Sequence, residues 1–300
     1  MDGVIVMMKP AGWTSHDVVA KARRILGIKR IGHTGTLDPE VTGVLPLCIG
    51  RATRLVEYIQ DLPKEYAAEL TIGYATDTED TSGNIVEKSD RVSVTREKAE
   101  AVLRSFVGAI EQTPPMYSAV KVNGKRLYEW ARQGKEVERN SRKVHIYEIE
   151  LLEFQHSFPY PKIRFRVKCS KGTYIRTLCK DIGQALGYPS VMSGLVRTTT
   201  GNFRLEQCIT IEQLEQIVER GELAASLIPP DQAVKHFPQV TVAEAFVQKA
   251  LNGQKLPLSA LGNFPAEGGK ARLYTEQLVF LGIYDIRSED SAAVPLKLFH

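Results

Sequence analysis

Two stretches of strict alternation constrain this chain more than any other feature. In residues 162–169, Ile163, Phe165, Val167 and Cys169 alternate with Lys162, Arg164, Arg166 and Lys168. Successive side chains of a strand point to opposite faces, so this strand has one apolar and one strongly basic face. Residues 64–74 behave alike, with Tyr66, Ala68, Leu70, Ile72 and Tyr74 on one side and Glu65, Ala67, Glu69, Thr71 and Gly73 on the other. Strands half-buried in this way belong to antiparallel sheets, whereas parallel sheets bury both faces and read as continuous apolar runs. The basic face of 162–169 must then meet solvent or an anion.

The remaining elements fit around such a sheet. Residues 4–8 form a buried strand, followed by a turn over 9–13. Thr14 and Asp17 form a capping box for a helix with Val18, Ala22, Ile25 and Leu26 on its apolar stripe, which Gly27 ends. A helix near Leu55, Val56 and Ile59 follows the glycine-rich stretch 32–54. An acidic turn leads to a strand at 85–88, and Thr95 caps a helix carrying Ala99, Val102, Leu103 and Phe106 that stops at Gly108. Residues 113–134 hold a strand, an Asn123-Gly124 turn and a short helix. Residues 144–154 are extended, 172–187 are helical with Ile175, Leu178, Ile182 and Leu186 at core spacing, and 193–203 form a strand. Thr210 with Gln213 starts a helix that ends at Gly221. Pro229 and Pro230 mark a boundary, and from 237 the pattern restarts with a short strand, a helix over 244–251 and alternation over 278–286. The fold class is therefore α+β. A mixed, largely antiparallel sheet with flanking helices spans 1–230, and a small β-rich module spans 237–300, near the lower size limit for independent folding.

Composition narrows the function classes. With 43% hydrophobic and 25% charged residues, the 300-residue chain has an ordinary globular composition. It has no apolar run of the roughly 20 residues that span a bilayer, and MDGVIVMMKPAGW is no secretory leader, so a cytoplasmic protein without membrane contact is expected. Cys48, Cys169, Cys179 and Cys208 are scattered without CxxC spacing, which suggests reduced thiols and neither a zinc site nor a disulfide framework. The net charge is only +4, yet Lys21, Arg23, Arg24, Lys29, Arg30, Arg51 and Arg54 surround residues 32–54, with Asp77, Glu79 and Asp80 clustered elsewhere. That distribution favours a polyanionic ligand at one face.

The common cofactor and hydrolase templates fail: there is no GxGxxG, GxxxxGK[ST], HExxH or GxSxG. What remains is GHTGTLDP over 32–39. Gly32, Gly35 and Gly43 allow close backbone approach, and Pro39 pushes Asp38 toward an extended conformation, so a single carboxylate is displayed on a shaped loop. On residue types alone, an ordinary turn whose aspartate bonds local amides is the default reading, since Asp, Gly, Pro and Thr are common turn formers.

The runs MKPAGWTS, GHTGTLDPEVTGVLPLCIGRATR, TPPMYSAVKVNGKRLYEWARQG and CSKGTYIRTLCKDIG, in this order across the first 230 residues, resemble the bacterial tRNA pseudouridine synthases of the TruB type. Those enzymes isomerise the T-loop uridine at tRNA position 55. The resemblance implies a pseudouridine-synthase core with a C-terminal PUA-like RNA-binding module. It implies Asp38 as the catalytic aspartate, Arg176 as the arginine that pairs with it, and Tyr66 as the ring lying against the target base. Tyr174 and Leu195 correspond to positions lining the base pocket, His33 to the histidine that fills the gap left by the flipped uridine, and Lys9 with Pro10 to the KPxG motif that supports the loop and contributes to substrate binding. The partner implied is tRNA, through its T-arm and acceptor end. A monomer acting without metal, organic cofactor or obligate protein partner, and with an accessory tRNA-folding role, completes the expectation.

Chemistry agrees with these assignments. Extracting a base costs a few kcal/mol, which a filling side chain and new stacking partly offset. A carboxylate serves as nucleophile or base while ionised, and a guanidinium beside it favours that form. Three roles stay open for Asp38: attack on the sugar, attack on C6, and proton abstraction. Two other readings compete, a non-catalytic RNA-binding protein and an aspartate-dependent glycosidic hydrolase. The second would release a free base and ordinarily needs a carboxylate pair.

Overall fold

The strand predicted at 162–169 lies in the middle of a sheet, with Ile163, Phe165 and Val167 wholly buried. A computed structural model describes residues 1–156 and 159–299; His300, the last residue of the expected second module, lies outside them. In chain order the first part comprises β1 (Gly3–Lys9), α1 (Ser15–Leu26), β2 (Ile31–His33), β3 (Thr42–Ile49), α2 (Val56–Gln60), β4 (Lys64–Ile72), β5 (Tyr74–Thr76), β6 (Ile85–Lys88), α3 (Arg96–Ser105) and β7 (Gly108–Gln112). Then come β8 (Lys121–Val122), β9 (Lys125–Arg126), α4 (Leu127–Ala131), β10 (Arg142–Gln155), β11 (Lys162–Cys169), α5 (Ile175–Leu186), β12 (Ser190–Thr200), β13 (Phe203–Arg204), α6 (Ile211–Glu219), α7 (Leu223–Ser226) and α8 (Pro230–Ala233). The last part holds β14 (Gln239–Thr241), α9 (Glu244–Leu251), β15 (Leu256–Pro257), β16 (Gly269–Tyr274), β17 (Phe280–Arg287) and β18 (Ala292–Leu298).

Among the described residues, nine strands form one sheet in the order β1-β3-β12-β4-β11-β10-β7, with β2 joined to β3 and β13 to β12. Only β12 and β3 run parallel; the other pairs are antiparallel, so the mixed, largely antiparallel sheet is present. The apolar face of β11 packs under Leu178, Ile182 and Leu186 of α5 and Ala99 and Leu103 of α3. Each such buried side chain contributes roughly 1.5–3 kcal/mol relative to exposure. Helix α1 has the predicted Thr14–Asp17 capping box and ends on Gly27 in the left-handed region.

Three expectations change. First, the basic face of β11 meets solvent, as one of its two readings had it, but its charges are not left unpaired for an external anion. Lys162 pairs with Glu69 at 2.9 Å, Arg164 with Glu153 at 3.1 Å, and Arg166 with Glu65, Glu148 and Glu150, so acids on the flanking strands β4 and β10 match it. Second, residues 42–49, read only as the continuation of the glycine loop, are the strand β3. Both of its faces are buried, which erases the alternation that marks a half-exposed strand. Third, Glu79 and Asp80 of the acidic cluster are not left to solvent but fold against α5. Glu79 accepts from Thr177 Oγ1 at 2.8 Å and from Lys180 at 3.1 Å.

A second, five-stranded sheet has the order β14-β16-β17-β18-β15. It has its own cluster around Val240, Leu273, Tyr284 and Ala293, while Ile283 and Phe280 join a cluster with Val4, Leu55 and Tyr58 of the first part. Lys297 pairs with Glu57 at 2.7 Å across the same junction.

Candidate active site

The loop between β2 and β3 is held from beneath by a buried cation. Lys9 is fully buried, and its ammonium donates to the carbonyls of Pro10, Pro39 and Val41, each at 2.7 Å. Burial lowers its pKa to about 8, with the carboxylates of Glu40 and Asp38 acting the other way. With no exposure it cannot contact substrate, so the binding role expected of it gives way to support of the loop. Ser15, first residue of α1, accepts from Leu37 N–H at 2.9 Å. The backbone around Asp38 is thereby fixed from two sides.

Asp38 itself remains 43% exposed while Arg176 is only 5% exposed, and Arg176 Nε lies 3.0 Å from Asp38 Oδ2. Helix α5 presents this arginine from its first turn. Its Nη1 donates to Thr78 O at 3.0 Å and its Nη2 to Tyr117 O at 2.8 Å, while Asp80 Oδ2 stands 3.9 Å from Nε. A guanidinium held at three points can orient one carboxylate oxygen, and Asp38 Oδ1 has no hydrogen bond among the described residues. Asp80, Thr78 and Tyr117 were not found from the sequence, because an acidic turn and two backbone carbonyls carry no pattern that points to a guanidinium.

A cavity of about 630 Å³ opens over this pair and is lined by Asp38, Tyr66, Tyr174, Arg176 and Leu195 together. Tyr174 precedes α5, exchanges hydrogen bonds with the Gln112 side chain at 3.0 and 3.2 Å, and carries the Arg142 guanidinium 4.8 Å over its ring. Tyr66 of β4 stands directly opposite Arg197 of β12 in the ladder. Burial raises the Tyr66 pKa, and the Arg197 charge opposes that rise. Arg197, in the run SGLVRT, is 1% exposed and donates to Val44 O at 2.8 Å and Gly35 O at 3.2 Å. The sequence signal for it is a lone charge inside a strand, between Val196 and Thr198.

His33 is not among the residues lining the cavity. It sits on β2 with its Nδ1 accepting from Gly35 N–H at 3.4 Å and its ring 5.3 Å from that of His16, edge to face. Burial, and then the neighbouring His16, lower its pKa, which keeps it neutral. Among the described residues no three His, Cys, Asp or Glu side chains gather to hold a metal ion. The four cysteines are free, and burial pushes Cys48 to about 12 and Cys169 to about 11, so neither is a ready thiolate.

Residues 23–175 match the TruB family pseudouridylate synthase N-terminal domain, and residues 176–235 match the tRNA pseudouridylate synthase B C-terminal domain. The chain belongs to the TruB family. It is an enzyme of the pseudouridine-synthase class. A tRNA pseudouridine synthase B from Geobacillus thermodenitrificans (strain NG80-2) is 54% identical over 304 residues, covering 100% of both chains. Another of the same name from Geobacillus kaustophilus (strain HTA426) is 52% identical over 264 residues, covering 87% of this chain and 92% of its own. Among solved structures, a Cbf5-Nop10-Gar1 complex contains a chain with TM-score 0.76 and 29% identity, covering 99% of this chain and 84% of that one. An H/ACA RNP bound to a substrate RNA containing 2'-deoxyuridine gives TM-score 0.75 and 28% identity over 99% and 85% of the two chains. The boundary between the two TruB domains, at 175/176, falls at the start of α5 and inside one continuous sheet.

Proposed function

We propose that this chain converts uridine 55 in the T-loop of tRNA to pseudouridine, with Asp38 as the group that acts on the nucleoside. The observation that carries this reading is the ion pair of an exposed Asp38 with a buried Arg176 at the floor of a cavity walled by two tyrosines and a leucine. Arg176 holds Oδ2, which leaves Oδ1 for the reacting nucleoside. The flipped base stacks on Tyr66, with Tyr174 and Leu195 closing the pocket. His33, neutral and beside the loop, fills the gap in the RNA stack, where an imidazolium would cost more to desolvate. Relatives bearing the name tRNA pseudouridine synthase B support the substrate.

The terminal sheet serves as a PUA-like module that takes the acceptor end of the tRNA. The chain acts as a cytoplasmic monomer without cofactor or obligate partner; among the described residues no helix is long and apolar enough to cross a membrane. Partial unfolding of the tRNA on base extraction gives it an accessory RNA-folding role.

Asp38→Asn tests the assignment. The amide keeps the shape of the side chain but cannot serve as nucleophile or base, so tRNA binding persists while pseudouridine formation is lost. Substantial turnover by this variant, measured as pseudouridine formed in a tRNA transcript, would remove Asp38 from the chemistry.

A further inference from the structure

Beneath the reading just given lies an arrangement of charge that base binding does not require. Lys64 and Arg197 line the same cavity as Asp38 and Tyr66, and they are 6% and 1% exposed. Lys64 lies two residues from Tyr66 on β4 and so shares its face, and Arg197 is the cross-strand partner of Tyr66 on β12. Neither forms an ion pair with a carboxylate among the described residues; Lys64 donates to Gln60 O and Leu62 O, Arg197 to Val44 O and Gly35 O. Fully buried Lys9 on β1 likewise donates its hydrogen bonds to carbonyls. Burying a cation without a counter-charge is unfavourable, and carbonyl dipoles relieve only part of that cost. Exposed cations would bind RNA phosphates as well, without desolvation. The buried placement fits an anion that exists only inside the pocket.

Isomerisation supplies one. The N1–C1′ bond breaks with its electron pair going to the base, so the detached uracil carries negative charge spread over N1, O2 and O4. The electrons of C5 then form the C5–C1′ bond, C5 loses its proton and N1 gains one, with no net oxidation and no co-reactant. We propose that Lys64 and Arg197 form a preorganised cationic floor that stabilises the detached uracil anion, in the manner of donors aimed at charge that develops during reaction. This inference rests on uridine being the substrate.

The test compares single-turnover loss of the target nucleoside in T-arm transcripts carrying uridine or 5-fluorouridine at position 55, with Lys64→Gln, Arg197→Gln and Lys64→Arg. Glutamine retains a donor for the carbonyls and removes the charge. With uridine, each Gln variant is expected to lose about 10-fold or more in rate, with transcript affinity within about 2-fold of wild type, since the floor contributes after binding. Fluorine stabilises the ring anion by itself, so the loss is expected to shrink with 5-fluorouridine, and Lys64→Arg is expected to keep most of the rate. A purely structural role would reduce both substrates equally. Equal losses on the two bases, or no loss in Lys64→Gln, would overturn the proposal. If Arg197→Gln fails to fold by its circular dichroism melt, Lys64→Gln with Lys64→Arg decides alone. Wild type that leaves uridine unchanged would refute the substrate reading instead, so the two failures are distinguishable.

Discussion

At the scale of single residues, charges are where the structure departs most from a sequence reading. Asp38 and Arg176 are joined by motif resemblance in the sequence alone, and the 3.0 Å contact gives that pairing a geometry. Glu79 shows what sequence hides: it adopts φ 64, unusual for a residue with a side chain, and its buried carboxylate clips the acidic turn to Thr177, next to Arg176. Asp181, further along α5, has its pKa raised to about 6 by burial and then by the charge of Glu79. A carboxyl whose folded pKa is raised binds more protons folded than unfolded, so stability falls as pH rises from about 4 through about 6. Asp181→Asn removes this penalty. It is expected to gain on the order of 1–2 kcal/mol at pH 7, because each pKa unit is worth about 1.4 kcal/mol and Asp181 keeps some solvent. Urea melts at pH 4 and pH 7 check it; a variant no more stable than wild type at pH 7 would contradict the assignment.

At the scale of elements, legibility tracked how each strand meets solvent. Strands β4 and β11 were readable because one face carries charge, and α1 because its cap and glycine stop are written in sequence. Strand β3 was not, since it is buried on both sides and carries Gly43 and Pro46, residues that ordinarily end strands. Gly43 has a definite reason to be there. Its φ is 113, and a Cβ would sit 2.2 Å from the carbonyl oxygen of Arg197, its parallel partner on β12. Gly43→Ala is therefore expected to cost about 2–4 kcal/mol, combining left-handed strain with overpacking. A denaturant midpoint close to wild type would show that the β3–β12 junction is looser than described.

At the scale of the whole molecule, the site is assembled from far-separated segments: the loop before β3 gives Asp38, β4 gives Tyr66, α5 gives Arg176, and β12 gives Leu195 and Arg197. The mixed sheet makes this possible, because β12 lies between β3 and β4 and brings both into register. Motif order alone named Asp38, Tyr66, Tyr174, Arg176 and Leu195, whereas Lys64, Arg197 and Asp80 became visible only once the strands were paired. The basic face of β11, read from the sequence as meeting solvent or an anion, is paired with acids on its own flanking strands. The central claim is that this pocket isomerises one uridine. Incubating a tRNA transcript with the chain and mapping its nucleosides by position tests that claim most directly. Pseudouridine at position 55, with no base released, is the predicted result; unmodified uridine there, or free uracil, would contradict it.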